Sequence, residues 1–169
     1  MKLLADAAFR VAQAMYHIAG VLLILMMLIV LADVVSRSVF GFTRGSVDFT
    51  FLGGIELVNF TLLFTILFTL PYAVSKGQVI VDLFTNNLSE RVKGVLAGIY
   101  TLGFGLLGIG MTTRFVEAAQ RVALTGESTQ DLLIPLTYIY GATAFATGVL
   151  AVRGVLVAVQ QISESVRAS

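Results

Sequence analysis

Four long apolar runs, separated by short polar intervals, dominate the chain. The first extends from about Ala14 to Val35, between Arg10 and the polar group Asp33 to Arg37, and the second from about Phe51 to Val74, interrupted by Glu56. The third opens at Lys93, carries no charge before Arg114 and continues to about residue 124; the fourth lies between Asp131 and Arg153 with a weakly polar extension, over about 132–160. A helix rising about 1.5 Å per residue needs about 20 residues to cross a hydrocarbon core of roughly 30 Å, and each run is long enough. Lipid cannot satisfy open backbone groups, and these runs lack the alternation of barrel strands, so they are predicted to be helices. The expected fold is an all-α integral membrane protein with four transmembrane helices in a single domain, residues 1–169. A cleaved signal peptide would also place Lys2 and Arg10 before an apolar run. The length of the run, and the lack of a small-x-small site before Asp33, favour a retained first helix.

The polar intervals add detail. Between the second and third runs, Ile80, Leu83, Phe84 and Leu88 fall on one helical arc and Asp82, Thr85, Ser89 and Glu90 on the other, which predicts a short interfacial helix at about 79–90. Arg114, Glu117 and Arg121 recur at helical spacing, so the third helix is expected to project beyond the bilayer, with Glu117 and Arg121 as an i,i+4 pair, and to end near Thr125-Gly126. Ser128-Thr-Gln-Asp131 reads as a capping box and Pro135 as a first-turn proline, which starts the fourth helix close to Leu132. With the N-terminus inside, Lys2, Arg10, Lys76, Arg91, Lys93, Arg153 and Arg167 are cytoplasmic and Arg37, Arg44, Arg114 and Arg121 external, a seven-to-four bias that predicts both ends inside.

Composition narrows the function classes. Hydrophobic residues make up 57%, charged residues 12%, and the mean hydropathy is +0.93, which leaves too few charges to cover a water-soluble surface. The net charge of +1 indicates no nucleic-acid partner, and the absence of cysteine excludes disulfides and thiolate sites. One histidine, His17, excludes a haem held by two histidines of this chain. No phosphate-binding glycine loop and no nucleophile with its base can be assembled, so no catalytic, cofactor or metal site is expected.

Glu56 requires an explanation, because an ionisable group inside a span is costly unless paired or solvated. Antiparallel packing of the first two helices would bring it to Asp33 and Arg37. A structural pair with Arg37 is the plainer reading, and a role in moving protons or substrate is the other. Small residues crowd the third span, with Gly94-x-x-x-Gly98, Gly103, Gly105 and Gly108, and Ala144-x-x-x-Gly148 marks the fourth. Such residues allow close helix approach, within the chain or against a partner subunit.

Four segments together resemble the small membrane subunit of tripartite ATP-independent periplasmic (TRAP) transporters, the DctQ-like or Q subunit. They are Asp33-Val-Val-Ser-Arg37-Ser-Val-Phe-Gly41, Glu56-Leu57, Gly77-Gln-Val-Ile-Val-Asp82, and Leu133-Ile-Pro135-Leu136 with Tyr138 and Tyr140. The resemblance covers nearly the whole chain. It departs from the family in having Gln78 where histidine is common, and no tryptophan, with Phe51, Tyr138 and Tyr140 left as interfacial aromatics.

The resemblance implies a non-enzymatic subunit of a sodium-coupled transporter in a bacterial or archaeal cytoplasmic membrane, taking up small organic anions such as C4-dicarboxylates or sialic acids. Its implied partners are a large elevator-type membrane subunit (DctM-like), which holds the substrate and sodium sites, and a periplasmic substrate-binding protein (DctP-like). Asp33, Arg37, Glu56, Asp82, Gly94, Gly98 and Pro135 are then candidates for structural or subunit contacts. Two rival readings are a self-sufficient four-helix proton-coupled exporter using Glu56, and a non-catalytic membrane anchor of a respiratory complex.

Overall fold

The computed structural model describes residues 2–46, 49, 53–75 and 89–167. Four helices account for nearly all of them: α1 (Lys2–Phe42), α2 (Gly54–Ala73), α3 (Glu90–Thr125) and α4 (Leu136–Arg167). All four are long and apolar enough to cross a membrane. The interfacial helix expected at 79–90 falls outside the described residues except for Ser89, which precedes α3, and Glu90, which opens it.

With 41 residues, α1 is about 60 Å long and exceeds the thickness of the hydrocarbon core, whereas the 20 residues of α2 match that thickness at about 30 Å. From Ala5 to Ser36 the less exposed positions of α1 are Ala5, Ala8, Ala12, Met15, Ala19, Leu22, Met26, Ile29, Asp33 and Ser36. They alternate spacings of three and four, the seven-residue seam of helices packed at a shallow angle. This seam faces α2 and α4, and the rest of α1 is exposed apolar surface suited to lipid or to a partner.

The arrangement is a wall more than a closed bundle. α4 is the central helix, with the α1–α2 hairpin on one side and α3 along the other. Among the described residues no backbone approach joins α3 to α1 or α2. Met15 of α1, Leu67 of α2 and Ala146 of α4 form the core, which α3 reaches through Met111. Where α2 and α3 diverge, a cavity of about 150 Å³ opens between Leu70, Ala73 and Val74 on one side and Tyr100 and Phe104 on the other.

Candidate functional site

The N-terminal end of α2 is built around Glu56. The helix starts after Gly53, whose φ of 94° is accessible to glycine at little cost, and Glu56 lies in its first turn, where a carboxylate suits the helix dipole. Opposite it lies the connection from α3 to α4. This segment begins at the left-handed cap Gly126 (φ 71°) and closes on itself through Thr129 N–H to Ile134 O at 2.9 Å, Leu136 N–H to Glu127 O at 3.0 Å and Ile134 N–H to Thr129 Oγ1 at 3.0 Å. The folded loop turns two N–H groups toward α2. Glu56 Oε2 accepts from Asp131 N at 3.0 Å and from Leu132 N at 2.9 Å, so the membrane carboxylate sits in a backbone nest. The Leu132 side chain lies against Gly53, where an added Cβ would come within 2.8 Å of it.

Two expectations are corrected at this junction. Arg37 does not pair with Glu56; its Nε donates to Asp33 Oδ2 at 2.8 Å, one turn away on the same helix. An i,i+4 partner is reached without help from another helix, while fixed backbone N–H groups give Glu56 donors with no side chain to immobilise. The polar motif at 128–131 does not cap α4. Ser128 forms an isolated bridge with Pro135, Thr129 staples the loop, and α4 begins at Leu136, so Pro135 precedes the helix instead of lying in its first turn. Farther up α3, Glu117 pairs with Arg114 at 3.3 Å and not with Arg121.

The glycines explain the α3–α4 contact. Gly94 lies against Ser165 and Gly98 against Ile162, while a Cβ on Gly108 would lie 2.7 Å from Ala151 N. The tightest approach to backbone atoms is glycine to glycine: a Cβ on Gly154 would be 2.6 Å from Gly105 N and 2.7 Å from its Cα. Gly103 and Gly110 have open space instead. Hydrogen bonds from Thr112 Oγ1 to Thr147 Oγ1 and from Thr101 Oγ1 to Gln161 Oε1, both 3.0 Å, complete this contact. Asp82 lies outside the described residues.

Residues 26–164 match the sequence profile described as "Tripartite ATP-independent periplasmic transporters, DctQ component". The chain belongs to that family. No curated protein and no solved structure matches it. The matched region of this DctQ component holds Asp33, Arg37, Glu56, the stapled loop and all of the α3–α4 contact described above except Ser165.

The opposite end of the DctQ fold, at the C-terminus of α2, depends on residues that sequence reasoning did not single out. Arg153 was counted as a loop charge, yet it is only 6% exposed. Its Nε donates to Pro71 O at 3.4 Å, its Nη2 donates to Ser75 Oγ at 3.3 Å, and the guanidinium lies 5.1 Å from the centre of the Phe9 ring. Tyr72 stacks on Tyr16 at 4.7 Å and approaches Phe9 at 5.9 Å. Arg153 of α4 thus holds the last turn of α2 and the first part of α1, with carbonyl and ring faces in place of a carboxylate. The signal available in the sequence was that α4 stays helical past Arg153, with Gly154, Ala158 and Ile162 continuing its packed face.

Asn59 carries no charge, so a rule based on charge gives it no signal in the sequence. It lies in α2 just beyond Glu56 and is exposed. Among the described residues no group of three or more His, Cys, Asp or Glu side chains is placed to hold a metal ion.

Proposed function

We propose that this DctQ component is the scaffold and anchor of a sodium-coupled TRAP transporter for small organic anions, C4-dicarboxylates or related carboxylates including sialic acids. It packs beside the static part of a large elevator-type subunit and widens its footprint in the bilayer while the transport domain moves. The large subunit carries the substrate and sodium sites, and a periplasmic binding protein delivers substrate. The subunit itself performs no chemistry.

The observation that carries this reading is the state of Glu56. A proton-exchanging carboxylate must be open to substrate, but this one accepts two backbone N–H groups and joins α2 to the α3–α4 loop. The wall-like packing around α4 supports the same view, since it offers broad lateral faces instead of an enclosed path. These features disfavour the small exporter. Family membership disfavours the respiratory anchor.

The proposed orientation keeps both ends in the cytoplasm of a bacterial or archaeal cell. Removing the buried Arg153 from the loop charges leaves six against four, still in favour of that assignment. The stapled loop and Glu56 then face the side on which the binding protein operates.

The test is uptake by proteoliposomes holding this chain alone, compared with those holding its purified complex with the large subunit and supplied with binding protein. Sodium-driven uptake confined to the complete set is the expected result. Substrate or drug exchange by the chain alone would overturn the proposal.

A further inference from the structure

We infer that the groove between the outer halves of α1 and α2, carrying Asp33 and Asn59, seats a helix of the large membrane subunit that presents a hydrogen-bond donor at that depth. The inference rests on the proposed scaffold role and names the face that carries it.

The groove measures about 210 Å³ and is lined by Val30 and Asp33 of α1 and by Gly54, Ile55, Val58 and Asn59 of α2. Its walls are apolar apart from two groups. Asp33 Oδ2 is occupied by Arg37, whereas Oδ1 has no hydrogen bond among the described residues. The Asn59 amide likewise has none and is exposed on a helix that crosses the membrane.

The threonines of the same helix show how unusual this is. Thr61, Thr65 and Thr69 each donate to the carbonyl four residues back at 2.7 Å, so their hydroxyls can face lipid or protein at no cost. An asparagine amide has two donors and an acceptor to satisfy, and in hydrocarbon only protein can supply partners. Lipid therefore fits the groove poorly. A second copy of this chain would bring the same carboxylate against its own, a like-charge contact. A donor-bearing helix complements both the free carboxylate oxygen and the amide.

The test uses the assembled complex. A photo-crosslinker replaces Val58 in the groove (Val58→p-benzoylphenylalanine) or, as a comparison, Ile109 on the outer face of α3 (Ile109→p-benzoylphenylalanine). Affinity for the large subunit is measured for wild type and Asn59→Leu. Capture of the large subunit from position 58, with association weakened about three- to tenfold by Asn59→Leu and the melting temperature of the isolated subunit unchanged, is the expected result; this is the scale of one interhelical hydrogen bond. Capture of only lipid or a second copy from position 58, or undiminished association of Asn59→Leu, overturns the inference. If position 109 captures the large subunit and position 58 does not, the scaffold role survives and this face is wrong. If wild type forms no complex at all, both fall together.

Discussion

Glu56 of α2 and Leu132 of the α3–α4 loop are joined by a hydrogen bond of 2.9 Å from the Leu132 N–H to Glu56 Oε2, across 76 residues of sequence. That contact, repeated from Asp131, makes the membrane carboxylate a clasp between the two halves of the wall.

Glu56→Ala leaves two loop N–H groups without their acceptor, while Glu56→Gln keeps an acceptor and loses the charge. The melting temperature of the purified subunit should fall for both, further for Ala, and the yield of folded Glu56→Gln should drop. Uptake per assembled Glu56→Gln complex should stay near wild type. A stable, fully assembled Glu56→Gln complex without transport would show that the carboxylate takes part in translocation.

Gly53 is constrained twice, by a φ of 94° and by Leu132, which an added Cβ would approach to 2.8 Å. Gly53→Ala should cost about 1–3 kcal/mol, from backbone strain together with the clash. Adding Leu132→Ala should recover the steric part and leave the strain. Thermal melts of the single and double variants separate the two; full recovery would mean that the left-handed backbone is not required.

Gly105 and Gly154 meet with no room for a side chain, whereas Gly103 and Gly110 face open space. Gly154→Ala should push α3 from α4 at a cost of about 1–3 kcal/mol. Gly103→Ala and Gly110→Ala should stabilise the isolated subunit by about 0.5–1 kcal/mol, since alanine is the better helix former. Equal effects at both kinds of site would contradict this packing.

The four spans were legible because lipid demands long apolar helices, and those runs are visible residue by residue. Glu56 was conspicuous for its cost, but its partners are backbone N–H groups of a loop, which no side-chain pattern announces. Reading 128–131 as a cap failed because Thr129 can bond a neighbouring backbone group as easily in a loop as at a helix start. The glycine spacing in α3 signalled close packing without saying against what, and the answer involved Gly154, flanked by an arginine. Arg153 was misplaced since a charge ordinarily marks the end of a span, and its partners here are a carbonyl, a hydroxyl and a ring.

That cluster is open to a double-mutant cycle. Arg153→Ala and Phe9→Leu should show a coupling of about 0.5–2 kcal/mol in thermal or denaturant unfolding, the range of a partly desolvated cation–π contact. Arg153→Lys should fall between wild type and Ala, because an ammonium cannot span Pro71 O and Ser75 Oγ as the guanidinium fork does. Additive effects of the two substitutions would remove the contact from the account.

The scaffold role is tested most directly by omission. Sodium-driven substrate uptake is measured in proteoliposomes holding the large subunit and supplied with binding protein, with and without this chain. The account predicts uptake with the chain and little or none in its absence. Undiminished uptake without it would contradict the claim that the subunit is needed.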